Sequence, residues 1–390
     1  MANYAWGVNP AILRWARERT GYSLQDIAAR FGKGVEEVAQ WEEGVAVPTY
    51  NQLERLAYTY YKRPIALFFF PEPPEEPEPE ESFRTLPDFE IRDLEPDTRL
   101  AIREAQAMQI SLNELTNGTN PSERMIFREV RVRPGRQAAL AAKDARLYLG
   151  VSLEVQFEWS GTVEALKKWR QVVQDHGIFV FKRHLDQADV SGFSVANDEF
   201  PVIYLNNSTA KTRQTFSLFH ELAHILLDTS GVTKVDDRYI DTLTGWKRQI
   251  EVFCNRFAAE FLVPSDDLDS RLRALEAEPV ERVVERLSDV YHVSREVILR
   301  NLLDRGVVDQ EYYQAKAAQW LREFEEARRA RRGGGYYYAT QATYLGDKYL
   351  SLAFSSYYSG ECNLEELAGH LGMKAKNVAE LERYVLSRGS

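Results

Sequence analysis

The chain has 390 residues, 44% of them hydrophobic and 28% charged, with a formal net charge of −10. That profile suits a globular protein of two or three domains of ~100–200 residues each, and it excludes a uniformly basic nucleic-acid coat. Two cysteines, Cys254 and Cys362, exclude a readable disulfide framework and suit a reducing cytoplasm.

The first ten residues hold no apolar leader, and no run approaches the ~18–20 apolar residues of a membrane helix, so a cytoplasmic protein without membrane contact is expected. Asn9-Pro10 opens a helix through Trp15 and Arg19 that ends at Gly21. Ser23 caps a second helix carrying Leu24, Ile27, Ala28 and Phe31. A third covers about 35–43 and stops at Gly44, and Pro48-Thr49 starts a fourth with Leu53, Leu56 and Ala57 on one face. Short helices with tight turns over residues 1–70 predict a helix-turn-helix bundle. Residues 71–81, PEPPEEPEPEE, contain only Pro and Glu, so 71–82 reads as an extended, solvated linker.

Beyond it, helices are expected at 96–115, 137–149 and 161–175, then strands at 178–181 and 200–205 (FPVIYL). Further helices follow at about 211–228 and 246–261, with two more in 278–305. The stretch ARRARRGGG at 327–335 marks a helix end and a flexible joint. The last 55 residues are tyrosine-rich and then helical, a pattern that packs as a core or a dimer interface. The expected organisation is 1–70, linker 71–82, a domain at 83–310 and a helical domain at 311–390. The expected class is mainly α (α+β).

The sharpest signal is His220-Glu221-Leu222-Ala223-His224 within TFSLFHELAHILLD. Residues four apart share a helix face, so both imidazoles can grip one cation, with Glu221 placed as general base. The flanking apolar residues bury this helix, and buried histidines need partners. A catalytic zinc needs a third protein ligand. Glu251 in QIEVFCNRFAAEFLVP is the leading candidate, with Asp228, Asp236 and Asp237 as alternatives. Asn255, one turn on, is placed to hold a histidine's second nitrogen. Cys254 reads as a small buried hydrophobe. Tyr204, His292 and Arg213 are candidate oxyanion partners.

HELAHILL followed by E-x-x-x-N-x-F-A-A-E-x-L-V-P resembles the ImmA/IrrE-type metallopeptidases, cytosolic proteases that cleave repressors. The resemblance spans roughly 170–305. It implies a zincin-like domain with His220, His224 and Glu251 as ligands of zinc (or manganese) and Glu221 as catalytic base. It also implies that Val202, Ile203 and Tyr204 form an edge strand to which an extended substrate adds.

Residues 9–70, with SLQDIAARFG and VEEVAQWEEGVAVPTYNQLERLA, resemble the XRE-type helix-turn-helix of phage repressors. The third helix would enter the major groove, presenting Lys33, Glu36, Glu37 and Gln40. Residues 1–70 carry eight Lys/Arg and seven Asp/Glu, a weak electrostatic footprint for double-stranded DNA. The tail resembles that of proteins fusing these two domains. The expectation is a zinc endopeptidase that cleaves a repressor or antitoxin-like partner, tethered to a DNA-binding domain and homodimeric. A non-catalytic regulator using the peptidase fold as a ligand or metal sensor is the alternative. The tail after Gly335, or the helices before 175, would gate access to the strand at 200–205.

Overall fold

Asn9 opens the first helix by accepting from the Ala11 amide at 2.9 Å, with Pro10 in the first turn. In the computed structural model, which describes residues 3–75, 94–132, 135–234, 237–330 and 335–388, this helix is α1 (Pro10–Thr20). It is followed by α2 (Leu24–Phe31), α3 (Val35–Glu43) and α4 (Tyr50–Glu54), which runs on as a π-helical turn, Arg55–Tyr60. Residues 76–82 of the expected linker and 331–334 of the arginine–glycine joint lie outside the described residues. Ser23 and Asp26 form a reciprocal capping box, as do Thr49 and Gln52. Gly21 and Gly44 end α1 and α3 with φ of +83° and +74°, a backbone that costs glycine least.

Two compact units emerge, Met1–Glu104 with Leu185–Gln187, and Ala105–His184 with Ala188–Ser390. In the first, Ile12, Leu13, Ile27, Val38, Trp41 and Leu53 fill a small core. A buried ion pair ties α1 to α3, with Arg17 Nε donating to Glu42 Oε1 at 2.7 Å and Nη2 to Oε2 at 3.0 Å. Helix α5 (Pro96–Leu115) starts in this unit and continues into the second.

The second unit opens with α6 (Ile126–Glu129), α7 (Ala138–Leu149), α8 (Leu153–Phe157) and α9 (Thr162–Asp175). Strands β1 (Phe179–Arg183), β2 (Val190–Val195) and β3 (Val202–Asn206) precede α10 (Lys211–Leu226), and β4 (Gly231–Lys234) follows it. Then come α11 (Gly245–Leu262), α12 (Ser265–Ala274), α13 (Val280–Tyr291), α14 (Arg295–Asp304) and α15 (Gln310–Ala330). The C-terminal helices are α16 (Tyr337–Leu345), α17 (Asp347–Tyr358), α18 (Leu364–His370) and α19 (Val378–Leu386). The described residues are thus mainly helical, with one four-stranded sheet in the second unit. Among the described residues no helix is long and apolar enough to cross a membrane.

The sheet order is β1-β3-β2-β4, which corrects the expected edge. Strand β3 pairs parallel with β1 (Val180 beside Ile203) and antiparallel with β2 (Phe193 beside Tyr204). Val202, Ile203 and Tyr204 are therefore interior and buried, with ladders on both sides, and offer no edge to a substrate. The edges are β1 and β4. The C-terminal helices lie on β1, not on β3 as expected of a gate. Arg170 of α9 donates to Val180 O at 2.8 Å and to Thr343 O at 2.8 Å, and the Tyr349 ring sits 5.3 Å from that of Phe181. A covered edge cannot recruit another strand. Of the tail's tyrosines, Tyr349 is core, while Tyr336, Tyr337 and Tyr358 remain exposed.

Candidate metal centre

Helix α10 lies under the sheet with Leu218, Phe219 and Leu222 in the core, where Phe219 stacks on Phe261 of α11 at 3.9 Å and meets Trp169 of α9 edge-on at 5.0 Å. This packing leaves His220, Glu221 and His224 fully buried. Helix α11 crosses beside it and presents Glu251, 4% exposed. The three side chains converge: His220 Nε2 is 3.1 Å from His224 Nε2, and Glu251 reaches each nitrogen with a different carboxylate oxygen, Oε2 at 3.3 Å from His220 and Oε1 at 3.3 Å from His224.

Proton bookkeeping shows what this cluster lacks. His220 Nδ1 faces Asn255 Oδ1 at 2.8 Å, an acceptor, so the ring's hydrogen sits on Nδ1. Thr229 Oγ1 donates to His224 O at 3.0 Å and therefore accepts from His224 Nδ1 at 3.2 Å. With one hydrogen on each ring, both Nε2 atoms would turn lone pairs toward each other and toward a carboxylate, an arrangement that a proton or a metal cation relieves. Burial would push His224 down, yet the neighbouring Cys254 and Glu251 raise it well above the usual imidazole range. Burial would likewise raise Glu251, and the two histidines override it and hold it below the usual carboxylate range. Both departures describe a field that favours positive charge. A tetrahedral zinc with bonds of about 2.0–2.1 Å spaces its donors by roughly 3.3–3.4 Å, which is close to the 3.1 Å between the two imidazole nitrogens.

Cys254, read from sequence as a buried hydrophobe, is buried, but its Sγ and the two imidazoles supply donor atoms all within 4.8 Å of one another. Two side chains thus compete for the third position. The carboxylate is the better match because it is an anion beside the two imidazoles, which hold it below the usual carboxylate range. Burial pushes the Cys254 thiol up to about 11. Of the other acids, Asp228 ends the helix in a left-handed turn at φ +57°, Asp236 lies outside the described residues, and Asp237 opens a short 3-10 turn.

Glu221 is held from the sheet side. Ser194 of β2 donates to its Oε2 at 2.5 Å, and Thr233 of β4 donates to its Oε1. Neither hydroxyl was expected from sequence. Nor was Tyr239, whose hydroxyl donates to Glu251 Oε2. Gly231 of β4 passes so close to His224 that a methyl there would fall onto the imidazole. The three possible oxyanion partners do not join the cluster. Tyr204 stacks on Phe193 at 5.0 Å, on the sheet face opposite Ile203 and α10. Arg213 donates to Lys234 O, and His292 caps α13 beside Trp159.

In the first unit, α3 exposes Glu36, Glu37 and Gln40, while Val38, Trp41 and Glu42 are buried. Lys33 is paired with Glu37.

Comparison with family models matches residues 13–59 to the helix-turn-helix family and residues 173–303 to the IrrE N-terminal-like domain. No curated protein matches the chain. The second match contains every residue of the cluster just described, and the first contains α2 and α3. The chain therefore joins an XRE-type helix-turn-helix domain to an ImmA/IrrE-type, metallopeptidase-like domain.

Proposed function

We propose that this chain is a zinc-dependent endopeptidase that cleaves a repressor or antitoxin-like regulator, coupled to double-stranded DNA through its helix-turn-helix domain and acting as a homodimer. The observation that carries the reading is the buried pair of imidazole nitrogens 3.1 Å apart, faced by the Glu251 carboxylate with one oxygen at 3.3 Å from each, and Glu221 next in sequence to His220. His220, His224 and Glu251 would hold the ion (zinc, or manganese in its place), which supplies a Lewis acid for the scissile carbonyl when bound. Asn255 and Thr229 orient the two imidazoles. Glu221 takes a proton from the attacking water and hands it to the leaving amine, its carboxylate steadied by Ser194 and Thr233. With β1 covered, β4 is the edge to which an extended peptide adds by main-chain hydrogen bonds, one strand away from Ser194 and next to His224.

The test is metal analysis of the purified protein together with cleavage of regulators encoded beside its gene. About one metal per chain is expected, lost in His220→Ala and His224→Ala. Glu221→Gln should keep the metal and abolish cleavage, and wild-type cleavage by that variant would overturn the base assignment.

Cys254 supports a second reading. A fourth protein donor would close the site, and closed four-donor sites are structural or sensing, not catalytic. Cys254→Ala decides between them: unchanged metal content and cleavage favours the open peptidase site, whereas loss of metal favours a sensor.

A further inference from the structure

A second polar site lies well away from the cluster. Lys211, the first residue of α10, is nine residues before His220, about 14 Å along the helix axis at 1.5 Å per residue. Beside it is a cavity of about 270 Å³ between α9, β1 and the start of the C-terminal helices. Its walls carry Lys167, Arg170, Lys182, Lys211 and Arg388 against one carboxylate, Asp347. In a chain with a net charge of −10, five cations round one acid is a local inversion of sign.

These charges are only partly compensated. Arg388 pairs with Asp347 at 3.6 Å. Arg170 spends its donors on the backbone carbonyls of Val180, Thr343 and Tyr344, which leaves its positive charge unneutralised by a bound carboxylate. Lys211 Nζ donates to the side-chain carbonyl of Asn207 at 3.3 Å. Lys182 is the most telling: strand alternation turns it to the α9 face of β1, it is only 8% exposed, and no described residue pairs with its ammonium group. Burial, then Arg170 and Lys211, push it down to about 7. A buried, unpaired lysine among like charges is costly unless something anionic joins it. Asp347 is on the far wall and already engaged by Arg388.

We propose that this cavity binds a small phosphate-bearing anion. Phosphate matches several fixed cations at once better than a single carboxylate does, through charge-assisted hydrogen bonds from Lys182, Lys211 and Arg388. The volume, near the lower end of the ~300–1,000 Å³ of small-molecule sites, admits a compact metabolite. The apolar lining from Val163, Leu166 and Ala342 leaves room for a modest organic group beside the phosphate. Because Lys182 and Lys211 belong to the peptidase-like domain and Arg388 to the C-terminal helices, the ligand would bridge the two and strengthen their docking on β1.

The probe is inorganic pyrophosphate, titrated calorimetrically into the full-length protein at physiological salt. Saturable binding at one site per chain is expected, with a rise in melting temperature. Lys182→Met and Lys211→Gln should each weaken it about tenfold or more, the loss of one charged contact, while the exposed Lys143→Met on α7 leaves it unchanged. Lys182→Met removes a buried charge and Lys211→Gln alters a partly exposed one, so circular dichroism of both verifies that folding is intact. Absence of saturable pyrophosphate binding, or full binding by both variants, overturns the proposal. So does a single-stranded oligonucleotide that binds in a Lys182-dependent way where pyrophosphate does not, which would make the site a nucleic-acid contact.

Discussion

At the scale of single residues, Gly231 sets how closely β4 approaches the metal-binding helix. Its φ is unremarkable for a strand, so the glycine is required by space and not by backbone conformation. A Cβ at this position would collide with the His224 imidazole, whose Nδ1 is already tethered to Thr229. The ring has little freedom to yield, because it is fully buried. Gly231→Ala should therefore displace the ring from the 3.1 and 3.3 Å geometry while leaving the fold intact. The expected result is a fall in metal affinity of about 10–100-fold, comparable to loss of an orienting partner, measured by competition with a chromogenic chelator. Metal affinity equal to wild type would show that β4 can move away and that the site is looser than its packing suggests.

At the scale of elements, Arg170 ties the C-terminal helices to β1 by hydrogen bonds, beside the packing of Tyr349 on Phe181. Arg170 satisfies Val180 O on the strand and Thr343 O and Tyr344 O at the end of α16, and Gly346 permits this approach because a Cβ there would meet the guanidinium. Arg170→Met should strand these carbonyls at roughly 1–3 kcal/mol for each one left buried and unpaired. Hydrogen exchange should then quicken in 337–358 more than in 211–226, and uniform quickening would mean that Arg170 supports the whole domain. The helices themselves were legible in the sequence, because apolar period and capping residues such as Asn9 and Ser23 act locally. The His220 and His224 pair was foreseeable for the same reason, because i,i+4 spacing fixes geometry within α10, and Asn255 one turn from Glu251 placed both on one face of α11. The sheet was not. Strands β2 and β4, with Ser191, Gly192, Ser194, Gly231 and Thr233, lack the apolar alternation that announces a strand. The edge position expected of β3 came from the family resemblance, and the non-sequential order β1-β3-β2-β4 is decided by long-range pairing. Ser194 and Thr233 reach Glu221 only through that pairing, so no spacing rule could have found them.

At the scale of the whole molecule, charge bears on how the helix-turn-helix domain meets DNA. The full chain is strongly acidic, and residues 1–70 carry eight cationic and seven anionic side chains, a net of only +1. The exposed part of α3 holds Glu36, Glu37, Gln40 and Glu43, and the nearest cation, Lys33, is occupied by Glu37. Carboxylates can read cytosine edges but repel phosphate, so affinity per copy should be low and two copies should be needed. For the full-length protein on a duplex from its own upstream region, fluorescence anisotropy across a salt series should give a moderate dependence, with a slope of about −5 for two copies that each make about three phosphate contacts. Glu36→Gln combined with Glu37→Gln removes two repulsive charges and frees Lys33. That variant should bind about tenfold more tightly and with less discrimination between sequences, since general attraction rises while a base-reading acceptor is altered. Glu221→Gln should leave DNA binding untouched, as it alters only the metal cluster. If the wild-type chain binds one half-site tightly in high salt, or if the double variant binds no better, α3 is not the DNA-facing element and the domain docks a protein instead.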